Sequence, residues 1–151
     1  MIGKLILTHG GVAHELLAAA EVISGPISGI EALSLSWDDT TDQAKAKVAA
    51  ALERLDKGEG VLILLDMFGG TPCNVASTFL ERGKVEILSG VNLPMVLKLA
   101  CLQESAGGLG LTELARLIQM KTQKSVCLAS DMVPEKSCCA GLPVPVETKH
   151  G

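Results

Sequence analysis

Short aliphatic runs alternate with stretches of helical spacing along most of this chain, and that alternation limits the possible folds more than any other feature. Strands are read at Lys4 to Thr8, Ile30 to Ser36, Val61 to Leu65 and Val85 to Leu88. Helices are read over Val12 to Ser24, Thr41 to Lys57, Thr71 to Arg82, Leu93 to Glu104 and Thr112 to Gln123. In the first helix Leu16, Leu17, Ala20 and Ile23 recur on one face; in the second, Ala44, Val48, Ala51, Leu52 and Leu55 do. Ser24-Gly25-Pro26 stops the first helix and Lys57-Gly58-Glu59-Gly60 the second. A strand, a helix and a second strand of one sheet join by a right-handed crossover, so the sheet is expected to be mostly parallel with helices on both faces. Val61 to Leu65 is apolar throughout, as in a strand covered on both sides.

The chain has 151 residues, the size of one domain with a real core. Residues 1–130 are expected to form that single domain, with 131–151 as a tail. From Met132 the character changes to three prolines, a Cys138-Cys139 pair and few apolar runs. Aromatic residues are only 2%, so the core must be aliphatic. A net charge of −4 with no basic segment argues against a nucleic-acid surface. No run approaches the roughly 20 apolar residues of a membrane span. The opening MIGKLIL has no basic leader or cleavage site and reads as a strand, so a cytoplasmic location is expected. Five cysteines, an odd number, read as reduced and mostly structural thiols, with Cys101 and Cys127 expected in the interior.

Two strand-to-helix seams stand out. The first, KLILTHGG, places His9 at the end of the first strand; the second, LILLDMFGGTP, places Asp66 at the end of the third. In doubly wound sheets ligands bind at the carboxyl ends of the strands, where the strand order reverses. With strands one and three adjacent, both side chains face one crevice. A neutral imidazole is a nucleophile near pH 7. A carboxylate bonded to its N–H fixes the tautomer and stabilises positive charge on the ring. After Asp66, Gly69-Gly70 permits close backbone approach, Thr71 is read as a helix N-cap and Pro72 as the first helical residue. A helix start of this kind is a ready phosphate cradle. The same residues serve equally well as a turn and a cap, so the pair of seams, not either alone, points to phosphoryl transfer through a phosphohistidine.

THG at Thr8 to Gly10, DMFGGTPCNVAS at Asp66 to Ser77 and SGVNLPM at Ser89 to Met95 together resemble the IIA domain of the mannose family of the bacterial sugar phosphotransferase system. The resemblance runs in order over residues 1 to about 130. It implies an α/β sandwich with strand order 2-1-3-4 and a short antiparallel fifth strand exchanged between the subunits of a homodimer. Ser125 to Ala129 is the candidate for that strand. The resemblance further implies that His9 accepts a phosphoryl group from the phosphocarrier protein HPr and passes it to a IIB component, with no cofactor and no metal. Asp66 then orients His9; Gly69, Gly70 and Thr71 hold the phosphate; Gly10, Phe68 and Asn92 line the rim. No IIB-like segment is present, and a regulatory module, its partner binding set by His9 phosphorylation, is the alternative. The phosphoryl donor of dihydroxyacetone kinases, a related branch, lacks the Gly-Gly-Thr-Pro and GVNLP motifs found here.

Other residues have plainer expectations. His14, in the first helix, faces solvent. Cys73 packs in the interior, although a helix start can activate a thiol. Trp37 either caps the core, the simpler expectation, or lies at a dimer or partner surface. The motif GxxxxGK[ST] is absent, so ATP binding of that type is unsupported.

Overall fold

In a computed structural model of the chain, which describes residues 1–105 and 108–132, four parallel strands form one sheet in the order β2-β1-β3-β4. The strands are β1 (Gly3–His9), β2 (Ile30–Leu35), β3 (Val61–Leu65) and β4 (Val85–Ser89). The helices are α1 (Val12–Ser24), α2 (Thr41–Leu55), α3 (Gly70–Ser77), α4 (Leu93–Ser105), α5 (Leu111–Gln123) and the short α6 (Ala129–Met132). The tail from residue 133, with Cys138 and Cys139, lies outside the described residues.

The two central strands explain the two cores. Alternate side chains of a strand point to opposite faces. Ile2, Ile6, Leu62 and Leu64 meet Ala13 and Ala20 of α1, Val96 and Leu99 of α4, and Leu114 and Ile118 of α5. Leu5, Leu7, Ile63 and Leu65 meet Ala44, Val48 and Ala51 of α2 with Val75 and Ala76 of α3 on the other face. All five residues of β3 are buried, as its unbroken apolar run requires.

Local chemistry sets the element ends. The α2 helix opens with a capping box: Gln43 N–H donates to Thr40 Oγ1 at 3.2 Å, and Thr40 N–H donates to Gln43 Oε1 at 2.9 Å. It stops at Leu55, two residues before the expected Lys57, because Asp56 Oδ1 accepts the N–H groups of Gly58 and Gly60. The α3 helix is shorter than expected, ending at Ser77 rather than Arg82. Thr78, Phe79 and Leu80 donate to carbonyls three residues back, and Thr78 Oγ1 also bonds Val75 O at 2.7 Å. That tightened turn takes the chain out of the helix.

Among the described residues a single copy of the chain has no fifth strand, and two expectations about side chains need correction. Ser125 to Ala129 is not a strand within this chain. Ser125 N–H bonds back to Thr122 O, residues 126–128 form no regular element, and Ala129 starts α6. An extended segment becomes a strand only through ladder bonds to a neighbour, and here β4 stays at the sheet edge. Cys101 and Cys127 are exposed: Met95, Val96 and Leu99 define the inward face of α4, and Cys101 points off it. Ile23 is exposed too, since α1 turns Ala13 and Ala20 to the sheet.

Candidate functional site

The strand order reverses between β1 and β3: the chain leaves β1 toward β2 on one side and β3 toward β4 on the other. Their carboxyl ends diverge into a crevice at that point. His9 is the last residue of β1, and Asp66 directly follows β3. His9 Nδ1 lies 2.7 Å from Asp66 Oδ2, and the same oxygen accepts the His9 main-chain N–H at 3.0 Å. Asp66 Oδ1 accepts the Met67 N–H at 2.9 Å. Burial by itself raises the Asp66 carboxyl, but the His9 main-chain N–H, the His9 ring and the Met67 N–H outweigh it and hold the carboxyl below its usual range. An ionised carboxylate only accepts, so Nδ1 carries the ring proton and Nε2 keeps a lone pair.

The neighbourhood of Nε2 is set by Gly70. Its φ is +79°, which L side chains rarely adopt, and a Cβ added there would lie 2.9 Å from Nε2 and 3.2 Å from Cε1. Glycine thus keeps the approach to Nε2 clear on two counts. The α3 helix starts beside it with Gly69 as N-cap and no side-chain cap hydrogen bond. This start lies beside Nε2, and a helix start carries free N–H groups and the positive end of the helix dipole, which favour anions. The opposite seam is fixed by buried Thr8, whose Oγ1 accepts the Ala13 N–H at 2.8 Å and donates to His9 O at 3.2 Å. The side chains of His9 and Asp66 are 26% and 20% exposed, so the ring is held yet reachable.

A family described as the PTS system fructose IIA component matches residues 3–132. The chain belongs to the mannose/fructose IIA family of the phosphotransferase system. It is 30% identical over 132 residues to the PTS system fructose-specific EIIA component of Bacillus subtilis (strain 168), covering 87% of this chain and 88% of that protein. It is 34% identical over 98 residues to the PTS system mannose-specific EIIAB component of Escherichia coli (strain K12), covering 64% of this chain but only 30% of that longer protein. The mannose/sorbose specific IIA subunit from Enterococcus faecalis superposes with a TM-score of 0.74 at 31% identity, covering 89% of this chain and 98% of that one.

In this IIA chain the structure brings His9, Asp66, Gly70 and Thr71 together. Thr71 is exposed and, with His9 and Pro72, lines a small cavity of about 70 Å³. It is not the N-cap: α3 begins at Gly70, making Thr71 its second residue and Pro72 its third. Gly10, at φ +51°, makes the exposed turn after β1, and Phe68 projects from the crevice at 81% exposure. Asn92 is placed differently from the others. It bonds its own loop at Gly90 O and caps α4 by accepting the Met95 N–H at 3.0 Å.

Two residues escape the sequence reading. Thr8 was legible only as part of a motif. Trp37 does not cap the core: it is 82% exposed, and its ring centroid lies 5.9 Å from that of His9. The signal for it was available. A residue just past the second strand sits at the same carboxyl edge as His9, and the Asp-Asp-Thr-Thr that follows is too polar to lead back into a core. His14 is exposed as expected, with Nδ1 3.2 Å from Ser34 Oγ. Cys73 is buried. Among the described residues no cluster of histidine, cysteine and acidic side chains could hold a metal ion, and no helix is long and apolar enough to cross a membrane.

Proposed function

We propose that this IIA chain is a phosphocarrier that takes a phosphoryl group from phospho-HPr on His9 Nε2 and hands it to a IIB component for sugar uptake, in the cytoplasm. The observation that carries this is the tautomer-fixing contact of Asp66 with Nδ1 on one side of a ring whose Nε2 faces an uncapped helix start. The naming of its relatives as phosphotransferase components supports it. Gly69, Gly70 and Thr71 hold the phosphoryl oxygens at the start of α3, and no metal is needed, because transfer of this kind rests on positioning and on fixed dipoles. Incubation with phosphoenolpyruvate, enzyme I and HPr should add one acid-labile phosphate to the intact mass, and a IIB protein should remove it. An unchanged mass with carriers that label another IIA protein would sink the proposal.

Asp66→Asn is expected to slow labelling about 10- to 100-fold, since a hydrogen bond to a charged group is worth about 1.5–3 kcal/mol. A wild-type rate in this variant would remove Asp66 from the orienting role. The same contact has an acid signature. The Asp66 carboxyl is held lower in the folded chain than in the unfolded one, so it adds stability above the unfolded value. That stability is lost as pH falls through the folded value. The stability gap between wild type and Asp66→Asn, followed by denaturant titration, should therefore narrow as the solution is acidified.

We further propose a homodimer. Apart from one antiparallel bridge between Val85 and Glu81, the outer edge of β4 has no neighbouring strand among the described residues; its residues are only half buried, and grooves of about 420 and 330 Å³ run beside it between β4 and α5. Val126 and Leu128, in the segment expected to form the exchanged strand, are apolar and exposed. A neighbouring copy's segment would cover both the edge and these side chains. Sedimentation should give twice the chain mass of 15.7 kDa, and truncation before Ser125 should give monomers. A wild-type monomer at high micromolar concentration would refute this.

A further inference from the structure

We infer that Trp37 is a positioning residue of the transfer site: its indole packs on the His9 imidazole and stabilises the positive charge that the ring gains when Nε2 is phosphorylated. This deepens the phosphocarrier proposal and rests on it.

The His9 ring has three surroundings in the structure. Asp66 holds Nδ1, Gly70 flanks Nε2, and Trp37 lies against the ring with centroids 5.9 Å apart and planes tilted by 31°. That distance falls within the range in which an aromatic face attracts a cation, roughly 6 Å from the centroid. The indole is 82% exposed, so hydrophobic burial does not explain its place. Its loop is nevertheless fixed. Leu35, the last residue of β2, pairs in register with His9. Ser36 N–H donates to Asp39 Oδ2 at 2.8 Å, and Asp39 N–H returns to Ser36 O at 3.2 Å. Lys47 Nζ of α2 then grips both Asp39 oxygens at 2.7 Å. Trp37 sits inside this clamped turn, so the backbone that carries the indole is held beside the ring.

The chemistry gives the contact a role. The Nε2 lone pair forms a new N–P bond as the N–P bond to the donor histidine breaks, and the electron pair of the broken bond leaves with the donor imidazole. Nδ1 keeps its proton throughout, on Asp66. The donor ring thereby becomes neutral and the His9 ring cationic. An aromatic face beside a cation at an exposed site is worth about a 2- to 5-fold shift. Asp66 and Trp37 then stabilise the same charge, one through its bond to Nδ1 and one through the π-system of the indole beside the ring.

The test compares Trp37→Leu, which keeps an apolar side chain without a π-face, with Trp37→Phe, which keeps the face. Each is phosphorylated by phosphoramidate, a small N–P donor whose leaving group is ammonia, and separately by phospho-HPr. With phosphoramidate, Trp37→Leu should label at His9 about 2- to 5-fold more slowly, and its phosphohistidine should decay faster by a similar factor. Trp37→Phe should recover most of both. Wild-type behaviour of Trp37→Leu with phosphoramidate, or equal losses in the two variants, would overturn the inference. A defect confined to phospho-HPr would also overturn it, by making Trp37 a partner contact. Labelling of the wild type by phosphoramidate but not by phospho-HPr would defeat the phosphocarrier proposal while the Trp37 comparison still decides. Absence of any modification at wild-type His9 would defeat both.

Discussion

His9→Ala should take up no phosphate under conditions in which the wild type takes up one. The loss is expected to be complete rather than graded, because the variant lacks the proposed attacking nitrogen. His14 is the only other histidine among the described residues, and it is exposed, bonded to Ser34 and absent from the lining of the small cavity that His9 shares with Thr71. Intact mass spectrometry after exposure to phosphoenolpyruvate, enzyme I and HPr reads the result directly. Removal of His9 should leave the fold intact: the site sits at the ends of β1 and β3, outside both hydrophobic cores. Residual labelling of a folded His9→Ala protein would move the nucleophile to another residue.

Gly70→Ala is the second large effect, and it separates geometry from chemistry because no reacting group is removed. The added methyl would stand 2.9 Å from Nε2, closer than real Cβ contacts come, on a residue whose φ is +79°. Either the ring turns off Asp66 or the helix start shifts. A displacement of about 1 Å can cost on the order of 100-fold in rate, so labelling should fall by at least about that factor. Gly69→Ala is the control: its φ of +111° imposes backbone strain, but nothing lies within 4 Å of the added carbon. Both variants should lose stability in thermal unfolding, by more than about 1 kcal/mol. Only Gly70→Ala should also lose labelling beyond what Gly69→Ala loses. Equal labelling in the two would show that the space over Nε2 is unimportant.

How legible this was from the sequence differs by scale. The period of the apolar residues carried the sheet, because a run such as Val61 to Leu65 has few other places to go. The crevice followed from the strand order and from two seams of like design. Features settled by only one or two hydrogen bonds were not legible. Asp56 ending α2 and the turn after Ser77 leave no mark on hydrophobic periodicity. The N-cap of α3 moved to Gly69 although Thr71 is the better capping side chain, since paired positive-φ glycines set the path of the chain before any side chain could act. Ser125 to Ala129 has strand composition but no ladder within its own chain, and composition alone does not supply one. Trp37 departs from the simpler of its two expectations, a cap on the core, because a clamped polar turn holds at the surface the kind of large aromatic residue that usually seeks the interior.

Trp37 is the only tryptophan in the chain, and there is no tyrosine. Nearly all the intrinsic ultraviolet emission of the protein therefore arises from one indole beside the proposed phosphoryl acceptor. Charge gained or lost on that imidazole acts on the emitter at close range, with no second fluorophore to dilute the signal. The fold has in effect installed a spectroscopic reporter at its own site, and stopped-flow mixing could follow each half-reaction in real time without a label.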